Sequence, residues 1–435
     1  MLDVNSGCIH LVDDLVFDVL DVYSPVSSLE DNLAFCYRLV SDYGKEEVIC
    51  ALNEIDFLVR SSKLFSSFNF EFSGSVDTPI KSMCLNVSHD CQLRCKYCFA
   101  SHGSFGGKKA LMSIATSKNA IDFLIRNSSN RINLEVDFFG GEPLMNFELV
   151  RETVRYARSL ERIFNKKFRF TITTNGVALD DQKIDFINSE MHNVVLSIDG
   201  RKNVNDSMRT FASGVGSYDI VVKKIQRLVE KRGNKSYFVR GTFTKYNLDF
   251  SEDVLHLFNL GFNKISMEPA VLSKDVNYSL ENCDEDKILN EYNKLLDLVI
   301  KLKRLDKNFV FFHFMHDFKK GPCAIKRIKG CGCGNEYISV SPDGSIYPCH
   351  QFVGVSNYFM GNVNTNDLNY EIKRRFSVPN IYSNSECKKC WSKFFCGGGC
   401  SANNWNFNKN LNIPHKFSCN LIRKRMEMSI YMATT

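Results

Sequence analysis

From Met83 to Arg304 the chain alternates short runs rich in β-branched and aromatic residues with longer amphipathic stretches, and that alternation constrains the fold more than any other feature. The strand-like runs are Cys84–Ser88, Leu134–Phe139, Phe168–Thr174, Asn193–Asp199, Tyr237–Phe243 and Lys264–Pro269. Helical periodicity marks Ser117–Arg126, Phe147–Phe164, Asp181–Glu190, Ser217–Lys231 and Ser251–Leu260 between them, and Glu285–Leu305 after the last. Strands separated by helices predict a parallel sheet covered by helices. Six such units are too few for a closed eight-fold barrel. The expected class is therefore α/β, an open (β/α)6 partial barrel with its reactive loops at the C-terminal strand ends.

The first of those loops holds Cys91, Cys95 and Cys98 in a CX3CX2C spacing. Such close thiolates suit an iron–sulfur cluster, which normally takes four cysteines; a triad leaves one iron open to a small molecule. Structural zinc wants four protein ligands, and His89 and His102 are poorly spaced to complete that set. Gly140, Gly141, Glu142 and Pro143 close the second strand. There glycines let the backbone approach a ligand, and Glu142 offers a carboxylate to an ammonium group. Asn175 ends the third strand, Ser197 and Asp199 end the fourth, and Arg209 follows in the next loop. Arg240 and Glu268 either face the barrel interior or form an internal ion pair, since long charged side chains are rarely buried alone.

A second cysteine pattern occupies the C-terminal third. Cys387, Cys390, Cys396 and Cys400 are spaced CX2CX5CX3C, with Cys419 beyond and Cys331, Gly344 and Cys349 upstream. Zinc remains open for the CX2C-type knuckles. Seventeen cysteines would suggest disulfides in a secreted chain. The clustering, and the lack of a basic-then-apolar signal at Met1–Leu20, favour metal and a reducing cytoplasm instead. Cys8, Cys36, Cys50, Cys84 and Cys283 lie outside the motifs and read as core or surface thiols. No apolar run is long enough to span a bilayer, and a net charge of +6 supports no nucleic-acid partner. Neither a membrane nor a nucleic acid is expected. Residues 1–80 carry four Lys/Arg and fourteen Asp/Glu, about −10 net, which marks a separate acidic module. Its pattern predicts strands at Cys8–Phe17 and Asp18–Val22, helices at Leu29–Ser41 and Lys45–Leu58, and a linker at Ser66–Thr78.

The triad, with Tyr97 and Phe99 beside its last cysteine, resembles the cluster motif of radical S-adenosylmethionine (SAM) enzymes. The resemblance implies a [4Fe–4S] cluster on Cys91, Cys95 and Cys98 whose open iron chelates SAM. It also implies a SAM site built from Gly140, Gly141, Glu142 and Pro143 at the amino group, with Tyr97, Asn175, Ser197, Asp199 and Arg209. Ser197 would meet the ribose or carboxylate, and Arg209 the methionine carboxylate. The C-terminal pattern resembles the SPASM extension, which carries two auxiliary [4Fe–4S] clusters, making three in all. One would take Cys387, Cys390, Cys396 and Cys419, the other Cys331, Cys349 and Cys400. The fourth place on the latter falls to Cys323 or to a substrate thiolate, Cys333 being awkwardly close to Cys331.

Residues 1–80 resemble the leader-peptide recognition element, a winged-helix-like domain onto whose strand edge a leader adds; a purely structural extension is the alternative. The implied domains are 1–80, 81–310 for the barrel and 311–435 for the SPASM domain. Over most of its length the chain resembles radical SAM–SPASM maturases, most closely that of the SCIFF peptide. This is carried by Ser88–Ser101, Asn133–Met145 and Tyr347–Gly354. That implies sactionine-type thioether links from cysteine sulfur to an α-carbon, threonine foremost, in a cysteine-rich precursor with a leader. The electrons would come from a low-potential donor such as ferredoxin or flavodoxin. Relatives with the same clusters form carbon–carbon crosslinks, epimerise residues or make formylglycine in sulfatases, and these outcomes stay open. A non-catalytic electron carrier is disfavoured, because it has no reason to bind an ammonium group at an open iron.

Overall fold

The computed structural model describes residues 1–67, 74, 77–272, 276–316, 318 and 328–434. An eleven-stranded sheet organises most of the chain in the order β11-β10-β9-β8-β1-β2-β3-β4-β5-β6-β7. These strands are β1 (Ser82–Ser88), β2 (Asn133–Gly140), β3 (Lys167–Thr174), β4 (Asn193–Ser197), β5 (Phe238–Phe243) and β6 (Lys264–Pro269), then β7 (Val310–Phe311). After these come β8 (Tyr337–Val340), β9 (Ser345–Tyr347), β10 (Gly361–Asn362) and β11 (Asp367–Leu368). β1 to β7 pair in parallel. All six expected strands are present, with ends displaced by at most two residues. The sheet is larger than expected. β7 extends one edge, and β8 from the C-terminal third pairs in parallel with β1, bringing the antiparallel β9–β11 with it.

The N-terminal expectation needs correction. Residues 14–60 form four helices joined by short connections: α1 (Asp14–Val22), α2 (Leu29–Phe35), α3 (Tyr37–Tyr43) and α4 (Lys45–Arg60). Asp13 caps α1, its Oδ1 accepting from Val16 N at 2.8 Å. Val19 is buried with Leu15, Val16 and Leu20 packed around it, a stripe of helical period. The expected helix Leu29–Ser41 is broken at Cys36 between α2 and α3. Among the described residues of this module, β pairing is confined to the isolated bridge Leu2–Ile9. No winged-helix strand edge is present there. Part of the expected linker, residues 68–73, 75 and 76, lies outside the described residues.

The barrel helices are α5 (Ile114–Asn127), α6 (Phe147–Phe164), α7 (Asp181–Glu190), α8 (Lys202–Met208), α9 (Tyr218–Arg232), α10 (Phe250–Asn259) and α11 (Glu285–Leu305). Ser113 and Asp180 cap α5 and α7 by accepting from Thr116 N and Lys183 N, and α6 ends at left-handed Asn165. Strand alternation then sorts the side chains. Leu134, Val136 and Phe138 of β2 and Phe168, Phe170 and Ile172 of β3 are buried in the helix-covered core. The opposite face is polar: Cys84, Asp137 and Thr171 are in-register neighbours, as are Ser197, Arg240 and Ser266. The barrel therefore encloses a polar lumen rather than an apolar core.

The C-terminal helix Lys416–Thr434 flanks that lumen. Arg425 donates to Tyr292 Oη at 2.8 Å and to Glu268 Oε2 at 3.2 Å, while His313 Nε2 lies 3.5 Å from Glu268 Oε1. Glu268 is thus ion-paired. Among the described residues, no helix is long and apolar enough to cross a membrane. Arg425→Ala strands the Glu268 carboxylate and should cost about 3 kcal/mol in urea unfolding. The double variant Glu268→Gln/Arg425→Met should lose less than the two single changes summed.

Candidate active site

Cys91, Cys95 and Cys98 line one cleft of about 670 Å³ together with Tyr97, Gly140, Gly141, Glu142, Asn175, Ser197 and Arg209. The loop after β1 and the end of β2 are locked by backbone: Gly141 N donates to Ser88 O at 2.8 Å and Glu142 N to Asp90 O at 2.9 Å. Glycine is required at both contacts. A Cβ on Gly140, whose φ is +127°, would sit 2.3 Å from Ser88 O, and one on Gly141 would sit 2.3 Å from Asp90 O. Leu93 N and Asn175 Nδ2 both donate to Cys91 Sγ at 3.4 Å. Arg94 N and Lys96 N donate to Thr210 O and Met208 O, which ties the cysteine loop to the Arg209 loop.

Glu142 lines the cleft and is held there by a set of donors. Its carboxylate accepts from Leu144 N at 3.1 Å, Thr174 Oγ1 at 2.7 Å and Asn175 N at 2.8 Å. Three of its roughly four lone-pair sites are thereby used, so Glu142 joins the ends of β2 and β3 and keeps one lone-pair site for a ligand. Burial still pushes its carboxyl upward. Pro143 is buried at the start of a 3-10 turn and does not line the cleft. Asp199 is likewise behind the wall. Tyr97 Oη donates to Asp199 Oδ2 at 2.6 Å and accepts from Arg209 Nη1 at 2.8 Å, and Arg209 lies 3.8 Å from Asp199. Arg209 is no solvated surface charge; it is 7% exposed and fixed by this chain of contacts. Burial pushes the Cys91 thiol up to about 12, with the Glu142 charge adding to it.

The C-terminal cysteines fall into two groups. Cys387, Cys390, Cys396 and Cys419 all line a second cleft of about 600 Å³. Gly397, Gly398 and Gly399 all have positive φ, and the backbone N–H groups of Gly398 and Gly399 point at the Cys396 sulfur. A Cβ on Gly397 would meet Gly330 N at 2.5 Å, so this turn lies directly against the loop carrying Cys331. Cys331 and Cys349 interact electrostatically with Cys400. Sequence spacing set Cys333 aside, yet the fold does not: it is 2% exposed and hydrogen-bonded to the thiols of both Cys331 and Cys349. Cys323 lies outside the described residues.

Sequence reasoning also missed what lies between the groups. His350, next to Cys349, packs on Phe139 of β2 at 5.1 Å and on Phe99 of the triad loop at 5.3 Å. Tyr337 Oη lies 3.2 Å from His350 Nδ1. Asp137, two residues before Phe139, shares its lumen face; an acidic residue at an inward position of an apolar strand was the signal available.

Among the described residues, no three His, Cys, Asp or Glu side chains converge on a single-ion site. Cysteine sets lining these clefts suit a polynuclear iron–sulfur cluster. The chain has the radical SAM α/β fold with a C-terminal SPASM domain: residues 85–258 match the radical SAM superfamily and residues 331–391 the SPASM iron–sulfur cluster-binding domain. The cofactors that go with this fold are SAM and a [4Fe–4S] cluster, the SPASM domain adding further iron–sulfur clusters, and the donor set described here fits them.

The chain is 25% identical over 338 residues to a cysteine-type anaerobic sulfatase-maturating enzyme of Clostridium novyi, covering 73% of this chain and 86% of that one. It is also 25% identical over 344 residues to the radical SAM cyclopropyl synthase TigE of Paramaledivibacter caminithermalis, covering 74% and 68% respectively. A solved structure of native anSMEcpe with bound AdoMet superposes with a TM-score of 0.65 at 21% identity, covering 82% of this chain and all of that one.

Gly141→Ala should drive the two loops apart at the Asp90 contact. The expected result is loss of the triad's electron paramagnetic resonance signal together with a fall of about tenfold or more in reductive SAM cleavage, the scale of a misplaced reacting geometry.

Proposed function

We propose that this chain is a radical SAM–SPASM peptide maturase that joins cysteine sulfur to the α-carbon of another residue, threonine foremost, in a cysteine-rich precursor peptide. The observation that carries this reading is the polar lumen, bounded by the triad cleft on one side and the Cys349 loop on the other, all on one sheet. Cys91, Cys95 and Cys98 hold the catalytic cluster. Tyr97, Glu142, Asn175, Ser197 and Arg209 position SAM, Glu142 at its amino group, and Asp199 holds Tyr97 and Arg209 in place. When bound, SAM supplies the carbon radical that removes a hydrogen atom from the peptide. The Cys387, Cys390, Cys396 and Cys419 group and the Cys331, Cys349 and Cys400 group take the auxiliary clusters. Cys333, Cys323 or the substrate sulfur completes the latter. Phe139, His350 and Phe99 wall the space in which the peptide residue lies and keep water from it.

The acidic helical module takes the leader; its exposed Phe17, Tyr37 and Phe57 support an apolar docking mode. A formylglycine-forming reading is favoured by one observation, the similarity to sulfatase-maturating enzymes. Product analysis separates the two. With reductant, SAM and a cysteine-rich precursor, each link should lower the peptide mass by two hydrogens and consume one thiol. Alkylation after reduction excludes disulfides, and a deuterium placed on the acceptor α-carbon should appear in 5′-deoxyadenosine. Loss of two hydrogens with every thiol still alkylatable would overturn the thioether assignment.

A further inference from the structure

One titratable group of the lumen is left without a task by the arrangement above. Asp137 stands on β2 three residues before Gly140, in register with Cys84 of β1 and Thr171 of β3. Val136 and Phe138, on either side, are 1% and 0% exposed under the helices, so Asp137 points into the lumen. Its Oδ1 is buried and has no hydrogen-bond partner. That is a costly state for a carboxylate, since buried oxygens of this kind are almost always satisfied. The other lumen acids differ: Glu142 has three donors and Glu268 has Arg425.

The charges around Asp137 are few. Arg240 of β5 is the cation that acts on it. Cys84 of β1 and Tyr337 of β8 are both pushed well up by burial, and burial pushes His350, in the turn after β9, down to about 4. These three are neutral at pH 7. Burial raises the Asp137 carboxyl to about 7, with Arg240 opposing it. The next residue on the same face, Phe139, touches both the triad loop through Phe99 and the Cys349 loop through His350. Asp137 therefore lies on the lumen face one step along β2 from the rings that join the two loops.

We propose that Asp137 is the base that takes the thiol proton of the substrate cysteine as the carbon–sulfur bond forms. The proposal rests on the thioether reading. A free thiol is mostly protonated at pH 7, and the Asp137 carboxylate, with no donor on Oδ1, is an acceptor carried on the lumen face. The proton passes to the carboxylate, giving a neutral carboxyl and a thiolate. The sulfur electron pair then makes the bond to the α-carbon. That carbon gives up one hydrogen atom to the SAM-derived radical and the step releases one electron to an iron–sulfur acceptor, so proton, hydrogen atom and electron sum to the two hydrogens lost. Arg240 opposes burial, so that the ionised carboxylate is available near neutral pH.

The test compares reconstituted wild type, Asp137→Asn and Asp137→Glu on a cysteine-rich precursor, measuring thioether formation at saturating peptide from pH 6 to 9.5 and peptide affinity by fluorescence anisotropy. Wild type should show a rate that rises through about pH 7, because the base is competent only when ionised. Asp137→Asn should lose about 100-fold at pH 7, with the residual rate rising instead near pH 8.5 as the free thiol ionises. Asp137→Glu should recover part of the rate and the rise near neutrality. An Asp137→Asn enzyme with wild-type rate and pH profile overturns the base assignment. So does equal inactivity of both variants with lost peptide affinity, which makes Asp137 a structural partner of Arg240. A wild-type product that retains all its thiols removes the thioether reading itself, whatever the variants do.

Discussion

The pairing of β1 with β8 is the contact on which the rest of the arrangement depends. Ser82, Met83, Cys84 and Leu85 lie in parallel register with Tyr337, Ile338, Ser339 and Val340. Fully buried Asn86 reinforces it, donating to Ser339 Oγ at 2.8 Å and to Val340 O at 3.0 Å. At the other end, Lys81 N and Ser82 N both donate to Glu336 O. The same strand thus launches the triad loop and anchors the SPASM segment. Because the sheet is continuous, the position of Cys349 relative to Cys91 is set by strand register, not by a flexible joint, and register is strongly specified where a face is buried.

That rigidity gives the lumen its character. A closed barrel fills its interior with branched apolar side chains; here the inward positions are Cys84, Asp137, Thr171, Ser197, Arg240, Ser266 and Glu268. Polar groups in a protein interior need partners, and three carboxylates show three outcomes. Glu142 is satisfied by backbone and hydroxyl donors and stitches two strand ends together. Glu268 is neutralised by Arg425 from the last helix. Asp137 keeps one bare oxygen. The first two build the site, and the third is available for chemistry.

The barrel was legible in the sequence because its strands and helices carry clean periods of 2 and 3.6, and Phe147–Phe164, Asp181–Glu190, Lys264–Pro269 and Glu285–Leu305 appear with their expected bounds. The triad and the residues around it were legible because they fall at strand ends. The β1–β8 pairing was not, since partners some 253 residues apart leave no local mark. Residues 13–22 misled because an apolar run containing Val16, Phe17, Val19, Leu20 and Val22 satisfies both periods; the Asp13 cap decides for the helix. Cys333 was set aside on spacing alone, whereas the turn made by Gly332 and Gly334, both with positive φ, folds its thiol in beside Cys331 and Cys349.

The central claim is that three thiol groups on one scaffold hold iron around a shared lumen. Anomalous diffraction above and below the iron edge, from crystals of anaerobically reconstituted protein, tests it most directly. The account predicts three separate iron peaks: in the Cys91–Cys95–Cys98 cleft, beside Cys331, Cys349 and Cys400, and within Cys387, Cys390, Cys396 and Cys419. Iron at the triad alone, with zinc or no metal at the C-terminal cysteines, would contradict it.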